Sequence, residues 1–103
     1  MENKSENLAN LIEYPKKGIL SKEIVLDGKI DVTLFCMAAG TQISEHTTTK
    51  KAIVHVIDGK GIFNLNGKDI EMKPNVAIFM DKNAPHSLRA KDNTSFILVL
   101  INN

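Results

Sequence analysis

Apolar and polar residues alternate along most of the chain in short runs, each closed by turn-forming residues. Ile19 to Leu26 and Ile30 to Ala38 are two apolar-rich runs separated by Asp27-Gly28-Lys29, which reads as a hairpin turn. The second run holds Val32, Thr33, Leu34 and Phe35, a composition that suits a pleated, half-buried surface. Ala52 to Ile57 is a β-branched run, followed by Asp58-Gly59-Lys60-Gly61 as a turn and Ile62 to Leu65 as another strand. Asn66-Gly67 is the clearest turn signal in the chain, because both residues tolerate the positive φ of a type I′ hairpin. Further strands are expected at Asp69 to Lys73, Val76 to Met80, Ser87 to Ala90 and Phe96 to Ile101. Short strands at regular spacing, with turn chemistry between them and no long amphipathic helix, predict an all-β antiparallel sandwich or barrel.

The first part of the chain breaks this rhythm. Glu2 to Asn10 is polar, and Leu11, Ile12 and Tyr14 seed either a short helical turn or a first strand, which Pro15 ends. The organisation read from this is an N-terminal segment over residues 1–24, partly flexible, and a single barrel domain over residues 25–103. A chain of 103 residues supports one hydrophobic core, burying roughly two-thirds of its unfolded surface without needing disulfides.

Period-2 alternation gives each strand residue a side. If Ala52 points inward, so do Val54 and Val56, and His55 turns to the outer face or to a subunit contact. By the same rule Glu45 faces away from His46 where both lie in extended chain. Phe35, Phe63, Phe79 and Phe96 fall in successive strands and are expected in the core, not on a platform for stacking bases.

Charge excludes several partners. Thirteen Lys and Arg against twelve Asp and Glu leave a formal charge of +1, with no long block of either sign, so binding to nucleic acid has no electrostatic basis. No run approaches the ~20 apolar residues of a membrane-spanning helix. The amino terminus MENKSENLANL lacks the apolar run of a secretory signal, and the single cysteine, Cys36, has no intramolecular disulfide partner. A cytoplasmic location is expected, with Cys36 in the run LFCMAA acting as a small buried hydrophobe.

The candidate chemistry lies in GTQISEHTTTKKAIVHVIDGKG, from Gly40 to Gly61, and in IFMDKNAPHSLRA near the carboxyl end. Phosphate binding is not indicated, because GKGIFNLNGK supplies hairpin turns instead of spaced glycines leading into a helix. Ser44 and Ser87 each lie near a histidine, yet neither is set in a nucleophile-elbow motif. The order of strand, glycine, histidine, hairpin and Pro-His turn over roughly residues 25 to 101 resembles the small single-domain cupins. In that family the first signature runs G, five residues, H, one residue, H, three or four residues, E, six residues, G. Gly40, His46 and Gly59 match it, while Thr48 and Ala52 stand where the second histidine and the glutamate belong. Pro85 and His86 resemble the second signature, with Pro74-Asn75 where a Gly-Asp pair is usual and Met80 where an earlier proline is usual.

The resemblance implies a cupin-type double-stranded β-helix (RmlC-like, akin to a jelly roll), often dimeric. It also implies a site, in which a typical metal cupin holds its ion with three histidines and one glutamate. Carried over position by position, only His46 and His86 retain ligand-type side chains, with Thr48, or an unplaced residue such as Cys36 or Met37, as possible help. The expected pocket is formed by His46, Thr48, Val54, Val56 and His86 and receives a small-molecule ligand. Two cofactor states stay open: a weakly held divalent transition metal (zinc, manganese, iron, nickel or copper) on His46 and His86, or none. The functional readings are likewise a ligand-binding cupin, a metal-dependent enzyme of oxygenase, isomerase or decarboxylase type, or a non-catalytic dimeric regulatory module.

Overall fold

In the computed structural model, which describes residues 1–102, the alternating runs form two antiparallel sheets. The five-stranded sheet has the order β1 (Ile19–Leu26), β2 (Ile30–Met37), β9 (Thr94–Ile101), β4 (Lys51–Asp58), β7 (Ala77–Met80). The four-stranded sheet has the order β3 (Gln42–His46), β8 (His86–Ala90), β5 (Gly61–Leu65), β6 (Lys68–Met72). Only β1–β2 and β5–β6 join neighbours in one sheet; every other connection between consecutive strands passes from one sheet to the other. No helix among the described residues is long and apolar enough to cross a membrane.

The two tight hairpins follow their turn chemistry. Gly28 has φ +84°, and the Asp27 carboxylate accepts the N–H groups of Ile30 at 2.8 Å and Lys29 at 2.9 Å. Those two N–H groups hold its carboxyl below the ordinary aspartate range. Asn66 and Gly67 have φ of 53° and 83°, as a type I′ turn requires, and Asn64 Oδ1 accepts the Gly67 N–H across it.

The core is the layer between the sheets. Met37, Ala52, Val54, Val56, Ile78, Met80 and Phe96 meet Phe63, Met72, Leu88 and Ala90 from the opposite sheet, all buried. Alternation in β4 is clean: Ala52, Val54 and Val56 are buried while His55 is exposed, opposite Ile97 and Ala77 on the outer face. A second cluster lies on that outer face, where Leu34, Cys36 and Ile97 are covered by Leu8, Leu11, Ile12 and Tyr14. The covering segment contains α1 (Leu8–Leu11), capped by Asn7 Oδ1 accepting the Ala9 N–H. The Tyr14 hydroxyl donates to the Asp58 carboxylate and accepts from the Ser95 hydroxyl, and burial pushes its phenol above the usual range. The boundary drawn at residue 25 falls inside β1, which pairs with β2 along its length.

One strand-level expectation needs correction, and one strand is added. Phe79 is not a core residue; it is 70% exposed, because Ile78 and Met80 take the inward positions of β7 and alternation sends the residue between them outside. Residues Gln42–His46 form a strand, β3, which the turn-rich composition of GTQISEHTTTK concealed.

The chain packs tightly against itself where the β4–β5 turn crosses the start of β9. At Gly59, with φ +100°, an added Cβ would lie 2.2 Å from the Asn93 carbonyl oxygen and 2.5 Å from Thr94 Cα; at Gly61 it would lie 2.5 Å from the Arg89 carbonyl oxygen. The fully buried Thr94 hydroxyl accepts the Lys60 N–H at 3.1 Å and fixes the turn against β9. Gly28, by contrast, has open space around it. Gly59→Ala is expected to cost ~2–4 kcal/mol through combined strain and overpacking, and Gly28→Ala only ~1–2 kcal/mol through its positive φ. Urea denaturation of both variants measures the difference, and equal losses would refute the close approach as the cause.

Candidate functional site

The pairing of β3 with β8 sets His46 directly opposite His86, after a register break between Ile43 and His46. The two imidazole rings are 4.1 Å apart, centroid to centroid, and tilted by 59°. Each ring is anchored to its own chain two residues back: His46 Nδ1 lies 2.8 Å from the Ser44 carbonyl oxygen and His86 Nδ1 lies 2.9 Å from that of Ala84. A carbonyl only accepts, so each Nδ1 carries the hydrogen, and in the neutral ring Nε2 bears the lone pair.

Burial holds one ring more firmly than the other. His86 is only 6% exposed and lies parallel to the Phe63 ring, 5.8 Å away with 3° between planes, whereas His46 stands exposed at the rim. The turn before His86 is tied on both sides. Asn83, at φ 63°, donates its N–H to the Thr48 carbonyl at 2.7 Å, and the Pro85 carbonyl accepts the Asn66 N–H at 3.0 Å. The two histidine-bearing segments are therefore joined by main-chain bonds as well as by strand pairing.

Beneath the pair, a cavity of about 170 Å³ opens between the sheets. Besides His46 and His86 its walls are Phe35, Ile43, Val54, Phe63, Met80, Leu88, Phe96 and Leu98, all apolar. Phe35 and Phe96 stack at 5.2 Å with 16° between planes and form one wall.

Of the residues expected at a pocket, the fold brings His46, Val54 and His86 to the cavity wall. Thr48 and Val56 are not part of that wall. Thr48 lies on the loop between β3 and β4, where its hydroxyl accepts the Lys50 N–H, and Val56 is fully buried further along β4, paired with Phe96. Cys36 sits on the opposite face of its sheet under the N-terminal segment, and Met37 is packed in the core. Glu45, with Gln42, Ser44, Asn64 and Arg89, borders a wide, open depression of about 540 Å³ on the outside of the four-stranded sheet, away from both imidazoles.

Sequence reasoning passed over most of the wall. Phe35, Phe63 and Phe96 read as core, while Leu88 and Leu98 fall inside expected strands without being singled out. The usable signal was phase, since Leu98 and Phe96 share the inward side with Val54 through the β4–β9 register.

The donor set does not fit a four-ligand metal centre. Ala52 has no donor atom, the Thr48 side chain is not at the cavity, and no group of three or more His, Cys, Asp or Glu that could hold a metal ion exists among the described residues. Two imidazoles without a carboxylate leave the charge of a divalent ion uncompensated.

Comparison with solved structures supports the fold. A cupin superfamily protein from Desulfitobacterium hafniense superposes with a TM-score of 0.89 at 17% identity, covering 100% of this chain and 94% of that one. A conserved Streptococcus pyogenes protein of unknown function gives 0.88 at 20% identity, with 100% and 90% covered. A Cupin 2 conserved barrel domain protein from Leptotrichia buccalis gives 0.87 at 28% identity over 94% of this chain, which spans 47% of that longer one. No curated protein matches the sequence. The family model for the cupin domain matches residues 33–102, from the second strand through the last, and the chain therefore belongs to the cupin family.

Proposed function

We propose that this cupin binds a small, mostly apolar molecule in the cavity beneath His46 and His86, and that it does so without a metal. The observation that carries this reading is the contrast within the cavity: eight apolar walls and two convergent imidazoles, each with its Nδ1 already engaged and its Nε2 without a hydrogen-bond partner among the described residues. A mostly apolar concavity with few fixed polar points is the physical form of a ligand pocket. A volume near 170 Å³ suits one six-membered ring or a short branched chain. Oxygenase, isomerase or decarboxylase chemistry at a metal lacks support here, because the carboxylate and the third imidazole of such centres are replaced by Ala52 and Thr48. A divalent ion on His46 and His86 is held weakly and exchanges freely.

We also infer a homodimer built on the outer face of the five-stranded sheet. Phe79 on the edge strand β7 is 70% exposed and shares an apolar groove with Ile53 and Ile101, flanked by Lys51 and Asp81. An exposed edge strand with a large apolar side chain is a liability that subunit pairing removes. In a two-fold contact, charges of opposite sign flanking one groove meet their complements across the axis.

Three outcomes follow. Elemental analysis after dialysis should find substoichiometric metal in the parent protein; a full equivalent that disappears in the His46→Ala, His86→Ala double variant would overturn the metal-free reading. Screening small monocyclic and short-chain compounds by thermal shift should find stabilisers, worth about 2.7 kcal/mol at a hundredfold excess over Kd. Leu98→Trp, which fills the cavity, should remove that response while the variant stays folded; a surviving shift would place binding elsewhere. Light scattering on a sizing column should give a dimer mass that Phe79→Lys reduces to a monomer, and a monomeric parent would end the dimer inference.

A further inference from the structure

The cavity's hydrogen-bonding capacity is one-sided. Both imidazoles give their Nδ1–H to main-chain carbonyls, of Ser44 and Ala84, so neither retains a donor for the cavity in the neutral form. Ring rotation does not reverse this, since it would break the bond to a carbonyl that has no hydrogen to offer, and His86 is also packed parallel to Phe63 and 94% buried. The remaining wall residues bear no polar side-chain group. What the cavity offers is two lone pairs, on rings 4.1 Å apart, above an apolar floor.

Resting on the reading that this cavity holds a small molecule, we propose that its ligand class is a compact six-membered ring carrying hydroxyl groups on adjacent carbons, each O–H donating to one Nε2. A carboxylate or ketone in the same place brings lone pairs against lone pairs, whereas two adjacent hydroxyls satisfy both acceptors at once. A single hydroxyl satisfies one, and an unsubstituted ring satisfies neither and leaves the buried His86 acceptor without a partner, which costs affinity. The expected order is therefore ortho-diol, then mono-hydroxyl, then hydrocarbon and carboxylate.

The test uses the full chain, under nitrogen, titrated by calorimetry with benzene-1,2-diol, phenol, toluene and benzoate, both without and with EDTA. Each hydroxyl should tighten binding about threefold to tenfold. His86→Phe, which preserves a ring against Phe63, should bind toluene at least as well as the parent and lose the preference for the diol. Long-range proton–nitrogen NMR should find both histidines with hydrogen on Nδ1. Toluene binding as tightly as the diol, or benzoate binding best, would overturn the proposal and leave the small-ligand reading standing. Diol binding that vanishes with EDTA would overturn it in favour of a metal-mediated contact. No binding by any of the four probes, with the same null result from the wider compound screen, would remove the small-ligand reading and this proposal together.

Discussion

Burial of one apolar layer between two sheets is the constraint on which everything else depends. Of the eight connections between consecutive strands, all but two pass from one sheet to the other. Neither sheet is therefore a contiguous stretch of chain, and both are held by one shared core in which residues such as Val54, Phe63, Met72 and Phe96 meet across the gap. Most contacts are made between residues distant in sequence, which makes the loop-closure entropy large and the folding cooperative. The close approach of Gly59 to Asn93 and Thr94, and of Gly61 to Arg89 at the end of β8, is part of this constraint, because it sets how closely the chain returns upon itself where it changes sheets.

The same layer explains why a cavity exists. Near Phe35, Phe96 and Leu98 the side chains line space between the sheets instead of filling it. His46 and His86 stand at that mouth as cross-strand partners. Their imidazoles are held by main-chain carbonyls, an anchorage set by local chain geometry and independent of any other side chain. The result is a preorganised pair whose tautomers are chosen by the backbone, and preorganisation lowers the cost of binding. Loss of the usual glutamate and second histidine leaves the barrel intact, since Ala52 packs in the core as a small apolar residue and Thr48 bonds within its loop. Fold and site chemistry are thus separable in this chain.

Outside the barrel, the N-terminal segment performs a structural task. Leu8, Leu11, Ile12 and Tyr14 cover the outer-face cluster of Leu34, Cys36 and Ile97, so the segment shields apolar surface and buries the only thiol. Its cover stops short of Phe79, which is why the edge at β7 keeps an exposed apolar groove while the centre of the same face does not.

Period-2 alternation and turn residues made much of the architecture legible in the sequence: the hairpins at Asp27-Gly28 and Asn66-Gly67, the inward set Ala52, Val54 and Val56, the outward His55, and the buried Cys36 all follow from local rules. These rules act within a strand or a turn, where side-chain direction is set by backbone geometry. They failed where the outcome depends on which strand lies alongside. Phe79 has the composition of a core residue and lost its place to Ile78 and Met80 because β7 is an edge strand with only one buried face. Strand β3 was hidden by its polar residues, and only its pairing with β8 made it a strand. His46 and His86 were legible as candidates from their motifs, but their opposition, their shared tautomer and the aromatic wall beneath them came from tertiary structure. Register between strands forty residues apart is a choice among pairings that no local pattern encodes, and packing of the whole layer makes it.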